Sequence, residues 1–439
     1  MNEVIGHEYE RLNSFQIITV LICVLINMID GFDLLVMAFT ASEVAKEWGL
    51  TGTEMGIALS GGLLGVGIGS LFFAPLADTF GRRKIILWSL GINTAGMLLS
   101  AASQDITQLT LLRVITGIGI GGALPSVVVL AGEYVPLKWR NTAVSLVVIG
   151  VPIGATIGGA LIAPFIVEYG WRSAFIFGGL SSLVTVAILM YRLPESIQFL
   201  CSGKAPNSLL RINALRGRMK LPALAELPVP DSSSLSASGI LVIRELFTAR
   251  ILPITVLIWL AFFLLMFSTY FVISWTPKLL VSAGLSTQQG ITGGVLMNLG
   301  GIIGGGLFAF IALKTNLNKL TGIFLSAFGL SMITFGFYMS TYETALIIAM
   351  LIGFFMNGAM CGLYALPLKF YPPEIRVTGV GWGLGIGRIG AILSPTTVGF
   401  LIDKGWSSSS LYYLVSTPLF IATATVLFLV YLSKRKEVG

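Results

Sequence analysis

The stretch Asn27-Met28-Ile29-Asp30-Gly31-Phe32-Asp33 places two acids in the middle of a long apolar run. Residues from about 15 to 39 are otherwise nearly all apolar, which is long enough to cross a hydrocarbon layer of about 30 Å as a helix. Carboxylates three residues apart lie on one face of that helix. A charge at this depth costs at least about 2.5 kcal/mol on insertion scales. We therefore expect Asp30 and Asp33 to face a cavity or a partner, and simple packing against a nearby arginine is the alternative.

The composition of the whole chain is that of a polytopic membrane protein. Of its 439 residues 55% are hydrophobic and only 11% are charged, whereas a soluble domain carries about 25% charged residues. The net charge of +7 is spread over short loops, so no nucleic-acid partner is indicated. His7, in the N-terminal tail, is the only histidine, and the three cysteines lack metal-ligand spacing. No cofactor, metal site or histidine-based catalytic set is predicted.

Hydrophobic periodicity predicts an all-α protein with twelve transmembrane helices. An even number of spans puts both termini on one side, where the loops and tails hold 21 of the 27 lysines and arginines, against four on the other side. This bias predicts that both termini are cytoplasmic. The predicted spans are 15–39, 52–74, 84–104, 108–131, 140–164, 172–193, 251–276, 288–313, 317–340, 343–366, 377–402 and 410–432.

Two landmarks recur at one offset and predict duplicated halves. The loop at 74–84 has its counterpart at 309–314, 235 residues later, and Pro136 to Arg140 has its counterpart at Pro372 to Arg376, 236 residues later. We expect a six-helix bundle over 1–193, a cytoplasmic linker over 194–250 and a second six-helix bundle over 251–439, with the solute bound between the bundles.

The linker is basic at its start and rich in serine later on. Its basic part is predicted to form a short amphipathic helix against anionic lipid, and binding of a regulatory partner is the alternative. The basic residues are Arg211, Arg216, Arg218 and Lys220, and the serines are Ser232, Ser233 and Ser234.

Three motifs resemble those of the major facilitator superfamily. They are Asp78-Thr79-Phe80-Gly81-Arg82-Arg83 between spans 2 and 3, the run from Arg113 to Gly122 in span 4, and Leu193-Pro194-Glu195-Ser196 after span 6. The resemblance covers essentially the whole chain and implies that superfamily's fold. Ala74 stands where the signature usually has glycine, and Leu313 stands where its second copy usually has aspartate. We therefore expect closure on the cytoplasmic side to depend on the first copy.

Within that superfamily, Asp30-Gly31-Phe32-Asp33 resembles the first-span signature of the aromatic acid:proton symporters. The span 11 run Gly385-Ile386-Gly387-Arg388-Ile389-Gly390 is similar to a second pattern of that family. The resemblance implies inward transport of a benzoate-type or hydroxybenzoate-type anion with protons, through a bacterial inner membrane. A monomer surrounded by membrane lipids is expected.

Arg388, near the middle of span 11, is the predicted substrate anchor, because a guanidinium fork binds a carboxylate through two hydrogen bonds. The alternative is that it pairs only with an acid across the halves. Arg113 is the predicted partner of Asp30 or Asp33, with Asp30 favoured as that partner and Asp33 as the proton carrier. All four residues are predicted to contribute to the substrate site.

Further candidates are aromatic or amide side chains within spans, each of which has packing as its simpler explanation. Rings that can stack on an aromatic substrate are Tyr270, Trp275, Tyr364 and Trp382, and amides that can bind a ring hydroxyl are Asn298 and Asn357.

A cytoplasmic gate is predicted from charges at helix ends, with plain topology as the alternative. Glu133 is expected to pair with Arg140 there and is the reserve candidate for proton coupling after Asp30 and Asp33. The predicted gate residues are Asp78, Arg82, Arg83, Glu133, Arg140 and Arg376.

Alternating access by rocking of the two halves is the predicted mechanism. Other functions stay open at this point: transport of a non-aromatic anion such as a dicarboxylate, uncoupled facilitation, export, or a transporter-like receptor. A membrane enzyme is disfavoured, because no nucleophile–base set or phosphate-binding loop is present.

Overall fold

A computed structural model describes residues 12–202, 206–227, 245–248 and 251–438. Within these residues, twelve helices are long and apolar enough to cross a membrane. All twelve predicted spans are confirmed as helices. In chain order they are α1 (Ser14–Trp48), α2 (Gly52–Phe80), α3 (Arg82–Ala101), α4 (Ile106–Glu133), α5 (Leu137–Tyr169), α6 (Arg172–Arg192), α7 (Leu252–Ser282), α8 (Thr287–Ala312), α9 (Leu317–Tyr338), α10 (Tyr342–Ala365), α11 (Pro373–Asp403) and α12 (Ser408–Val438).

Several helices are longer than the apolar runs that predicted them. The α1 run was expected to end near residue 39, yet the helix continues to Trp48 through Glu43, Lys46 and Glu47. These side chains have high helix propensity, so the backbone stays helical after the apolar run ends. Hydrophobicity therefore located the spans but not their ends.

Side-chain caps fix where several helices begin. The Asp105 carboxylate accepts a hydrogen bond from the Gln108 amide at 2.8 Å at the start of α4. Ser286 and Gln289 form a reciprocal capping box at the start of α8. Such caps satisfy backbone donors that the first helical turn leaves without partners.

Helix α2 is irregular near the predicted signature loop. A π-helical turn at Gly69–Phe73 is followed by a 3₁₀ turn at Ala74–Leu76, which contains Pro75. Proline has no backbone N–H to donate, so it cannot continue the regular α-helical ladder. The helix resumes at Ala77–Phe80 and ends at Gly81, whose φ of 97° suits only glycine well.

The chain forms two compact contact units. Unit 1 comprises Met1–Leu34, Gly61–Ala155 and Arg172–Ser234, and unit 2 comprises Leu35–Ser60, Thr156–Trp171 and Leu235–Gly439. Helices α1, α2 and α5 each contribute residues to both units. The division into bundles 1–193 and 251–439 with a linker 194–250 rests on the internal repeat and stays a prediction.

The basic part of the linker contains the predicted short helix, at Ser208–Arg218. Its Ile212 belongs to the apolar core of unit 1, and the Arg218 guanidinium lies 5.0 Å from the ring centre of Phe15 on α1. The apolar side of this helix thus packs on protein. Lipid contact of its basic side chains stays a prediction, and Ser232, Ser233 and Ser234 lie outside the described residues.

Candidate functional site

A buried ion pair joins α1 to α4 within unit 1. Arg113 Nη1 donates to Asp33 Oδ1 at 2.7 Å, and the two side chains are only 3% and 1% exposed. The pairing follows from the sequence, because a guanidinium and a carboxylate inside spans must each find an opposite charge. The prediction that Arg113 binds one of the two acids is confirmed.

The rest of the Arg113 side chain is held by neighbouring helices. Its Nη2 donates to Ser100 Oγ of α3 at 2.8 Å, and its guanidinium lies 4.8 Å from the ring centre of Phe175 on α6. Cation–π contact and hydrogen bonds together fix the orientation of the guanidinium. Arg113 is therefore a rigid partner for Asp33 within this unit.

Asp30 is in a different position from Asp33. It is 2% exposed, and neither of its carboxylate oxygens makes a hydrogen bond to any described residue. The Asn93 amide of α3 lies beside both carboxylates without meeting the geometry of a direct hydrogen bond. The favoured assignment of Asp30 as the Arg113 partner is therefore wrong: Asp33, one turn further along α1, aligns with Arg113.

Arg388, in unit 2, lies on the open face of α11. Gly383, Gly387 and Gly390 pack against α7, where an added Cβ would lie 2.5 to 3.0 Å from Phe262, Met266 or Phe263. Gly381 and Gly385, on the other side of the helix, have no heavy atom within 4 Å of an added Cβ. Residues 381, 385 and 388 share one face at helical spacing. Some of these glycines thus allow close packing against α7, and the others leave open space on the helix face that carries Arg388.

The Arg388 guanidinium is half-buried, and within the described part of the chain it makes no hydrogen bond or ion pair. Tyr270 of α7 and Arg388 both lie close enough to the Tyr364 hydroxyl of α10 to act on it electrostatically. The Tyr364 ring stacks on Phe262 with centroids 5.8 Å apart and remains 39% exposed. An available guanidinium within electrostatic reach of a tyrosine is a combination suited to an aromatic anion.

The other aromatic and amide side chains that were predicted to contact the substrate pack against protein in this structure. Trp275 is fully buried and donates Nε1 to the Pro395 carbonyl at 3.1 Å, and Trp382 stacks on Trp259 at 5.7 Å. The Asn298 amide donates to the Gly294 carbonyl one turn earlier at 2.9 Å, and Asn357 packs against Gly301. Contact of these four residues with a substrate stays a prediction.

Two of the predicted gate residues, Arg82 and Arg83, contact the segment that follows α6, within unit 1. Arg82 forms an ion pair with Glu133 at the end of α4 and donates to Ser196 Oγ at 3.1 Å and Gln198 Oε1 at 3.0 Å. Glu195 Oε1 accepts the Arg83 backbone N–H at 3.0 Å. The signature loop is thus tied to the ends of α4 and α6 by charge-assisted hydrogen bonds.

One of the predicted gate contacts needs correction. Glu133 pairs with Arg82 and not with Arg140, whose Nε instead donates to the Gly132 carbonyl at 3.2 Å. Asp78 lies 3.6 Å from Arg82, one turn away on the same side of the chain, and is 77% exposed. Arg376 donates to the Tyr371 carbonyl at 3.4 Å. A gating role for these residues stays a prediction.

A family model described as the Major Facilitator Superfamily matches residues 20–319. The chain belongs to that superfamily. It is 32% identical to a gallate transporter of Pseudomonas putida over 94% of this chain and 92% of that one. It is also 30% identical to the 4-hydroxybenzoate transporter PcaK of Pseudomonas aeruginosa over 95% and 93% of the two chains. The predicted resemblance to aromatic acid transporters is confirmed.

Solved structures support the same fold. The crystal structure of a D-xylose-proton symporter matches with a TM-score of 0.73 over 93% of this chain and 97% of that chain, at 16% identity. At that identity the likeness speaks for the fold alone. With twelve membrane-length helices and bacterial transporters as relatives, this major facilitator protein is a multi-pass protein of the inner membrane.

A hydrogen-bonded latch in unit 2 was not anticipated from the sequence. Asp403 at the end of α11 accepts from the backbone N–H groups of Gly52 and Thr53 at 2.6 and 2.8 Å, at the start of α2. Its carboxylate therefore caps a helix from another part of the chain, where the helix dipole favours negative charge. Further along both helices, Ser60 Oγ donates to the Ile392 carbonyl at 2.7 Å.

Several residues with contacts in the candidate site were not assigned to it from the sequence, and they differ in whether the sequence indicated a role for them. Glu195 and Ser196 stood in a motif that had been noted, but they were not assigned to the gate. Asn93 is a lone amide inside an apolar span, the same signal that singled out Asn298 and Asn357. Phe175 and Asp403 gave no signal, because an aromatic residue in a span and an acid at a span end are both ordinary.

Proposed function

We propose that this transporter carries a small aromatic carboxylate, of the benzoate or hydroxybenzoate type, into the cell together with protons. The observation that carries the proposal is the half-buried Arg388, which has open space along its own helix face and no partner among the described residues. A guanidinium that is taken out of water needs a counter-charge, which a bound carboxylate would supply. The relatives named for gallate and 4-hydroxybenzoate support an aromatic acid as that ligand.

The proposed role of Asp30 is to carry the proton. Protonating Asp33 would weaken its bond to Arg113, whereas protonating Asp30 disrupts no hydrogen bond to a described residue and removes a buried charge. Buried charges that lack partners favour neutralisation. This reverses the order in which the sequence favoured the two acids, and it leaves Asp33 and Arg113 as a fixed pair.

The proposed cycle is alternating access in a monomer surrounded by lipid. Proton uptake at Asp30 and anion binding at Arg388 together add no net charge to the membrane interior, which lowers the barrier to occlusion. With both termini in the cytoplasm, as the charge bias predicts, the latch of Asp403 on α2 belongs to the extracellular side. Opening toward that side would then require the latch to break.

Asp403→Ala should raise the population in which the start of α2 and the end of α11 are separated. Losing a helix N-cap costs about 0.5–2 kcal/mol, so that population should rise roughly two- to thirtyfold. Pulsed electron paramagnetic resonance would measure this separation as the distance between spin labels at positions 50 and 404. Asp105→Ala is the matched control, because Asp105 caps only its own helix. An unchanged distance distribution in Asp403→Ala would contradict the latch.

Asp30→Asn should lose accumulation of an aromatic acid driven by a pH gradient, because the amide cannot carry a proton. Exchange of labelled acid at equal concentrations should persist within about twofold, since a neutral side chain mimics the protonated state that permits occlusion. Both modes can be measured in proteoliposomes with 4-hydroxybenzoate and gallate as substrates. Uphill accumulation by Asp30→Asn equal to that of the parent would place the coupling site elsewhere, with Glu133 next to be tested.

A further inference from the structure

Several buried polar atoms in unit 1 have no hydrogen-bond partner among the described residues, and many of them lie near Asp30. Nearly all buried polar groups in proteins are hydrogen-bonded, to protein or to ordered water. Such a concentration of unsatisfied atoms in one region therefore calls for an explanation. The atoms are both oxygens of Asp30, Oδ2 of Asp33, Oδ1 and Nδ2 of Asn93, Oγ of Ser89, Oδ1 of Asn27 and Nε of Arg113.

Three buried polar side chains, Ser89, Asn93 and Ser100, form a polar stripe along α3. Ser89, Asn93 and Ser100 are 0%, 1% and 0% exposed and lie at helical spacing on one face. The stripe faces glycines of α4: a Cβ added at Gly119 would lie 3.4 Å from Asn93 Cβ, and one added at Gly122 would lie 2.7 Å from Ser89 Oγ. Glycines of α4 thus approach the stripe closely, and the Phe73 ring lies near Gly122 as well, 2.5 Å from the same Cβ position.

The unsatisfied polar side chains extend from Asp30 toward the starts of α1 and α3. Ser89 is one turn closer than Asn93 to the start of α3, and Asn27 is nearly one turn closer than Asp30 to the start of α1. The rise of 1.5 Å per residue puts Ser89 about 6 Å beyond Asn93 along the axis. Two hydrogen bonds of about 2.8 Å through one water would span that distance. Both steps lead toward the side where Arg82 and the predicted gate lie.

We propose that Asp30, Asn93 and Ser89 hold a chain of buried water that conducts the proton between Asp30 and the side of the membrane on which α1 and α3 begin. This inference rests on the proposed function, in that it gives the proposed proton carrier a route to water. Asp30 is 2% exposed, so its proton needs such a route. The site has the two to four polar partners that a buried water requires.

The charged group that acts on Asp30 is Asp33, which forms an ion pair with Arg113. The carboxylate of Asp33 can only accept hydrogen bonds and the guanidinium of Arg113 can only donate them, whereas the amide of Asn93 can both donate and accept. Asn93 is therefore a positioning residue for the water next to Asp30. Thr94, the next residue on α3, bonds to the Leu90 carbonyl and to Ser182 Oγ, both at 2.7 Å, and has no part in the stripe.

Infrared spectroscopy of the purified full chain tests the route without a transport assay. The C=O band of protonated Asp30 is identified by its loss in Asp30→Asn, and its shift after transfer to D₂O reports how fast the carboxyl exchanges its proton. We expect rapid exchange in the parent and in Thr94→Val. Asn93→Leu should slow it at least about tenfold, because the water next to the carboxyl loses its hydrogen-bonding partner. Ser89→Ala, a milder change, should slow it several-fold.

Equal exchange rates in the parent, Asn93→Leu and Ser89→Ala would overturn the water chain. Slow exchange in the parent itself would also overturn it, since a dry Asp30 has no such route. If Asp30→Asn removes no band across the pH range of transport, Asp30 does not take up a proton, and the proposed proton-carrying role fails. The presence of the Asp30 C=O band thus distinguishes the two failures. If the band is present, only the water chain can fail; if it is absent, the proposed proton-carrying role of Asp30 fails.

Discussion

Arg388→Ala is expected to abolish high-affinity binding of the aromatic acid. Each hydrogen bond between a guanidinium and a carboxylate contributes about 1.5–3 kcal/mol, so loss of two of them should raise Kd at least about 100-fold. Arg388→Lys should recover little of this loss, because an ammonium is a point charge without the planar fork that matches a carboxylate. Equilibrium binding of labelled acid to the purified protein measures both variants.

The control for Arg388 lies on the same helix. Arg376 also carries a guanidinium on α11, but it donates to the backbone carbonyl of Tyr371. Arg376→Ala should therefore leave Kd within about twofold while removing the same charge from the same helix. An Arg388→Ala variant that binds the acid as tightly as the parent would remove Arg388 from the site.

Breaking the ion pair of Asp33 with Arg113 should produce the largest loss of stability. Asp33→Ala leaves a buried guanidinium without its carboxylate, and breaking a buried pair in this way costs about 3–5 kcal/mol. Arg113→Gln should cost a similar amount, because it leaves two carboxylates in one buried region. The free energy of unfolding, measured in detergent by denaturant titration, reports these losses.

The two positions should also be coupled. In the double variant Asp33→Ala with Arg113→Gln no unpaired guanidinium remains, so it should be more stable than the sum of the single losses predicts, by about 1–3 kcal/mol. The contact of Asp78, a side chain that is 77% exposed, with Arg82 is the control, and Asp78→Ala should cost no more than about 1 kcal/mol. Strict additivity at Asp33 and Arg113 would show that their contact contributes nothing to stability.

The sequence predicted the fold more fully than the site, and particular residues show why. Apolar runs of membrane length determine where helices cross, so all twelve spans were located. Their ends were not, because Glu43, Lys46 and Glu47 extend α1 through helix propensity and not through hydrophobicity. Contacts between distant segments, such as Asp403 with Gly52, leave no periodic signal in the chain.

The sequence predicted that an arginine and a carboxylate would pair inside the spans, but it did not predict which carboxylate. That Arg113 would bind a carboxylate followed from the cost of a lone charge in a span, and this was confirmed. Which carboxylate it binds depends on the rotation and axial offset of α4 against α1, and one turn of helix separates Asp30 from Asp33. The glycines around Arg388 posed the same difficulty: only packing shows that Gly387 meets α7 while Gly385 faces open space.

The measurement that tests the central claim most directly is uptake by the parent protein in proteoliposomes. A panel of aromatic and aliphatic carboxylates would be offered with and without an inward proton gradient, with internal pH followed by a dye. We expect hydroxylated benzoates to accumulate above their external concentration only when the gradient is present, and protons to enter with them. Equal uptake with and without the gradient, or accumulation of dicarboxylates alone, would contradict proton-coupled transport of an aromatic acid.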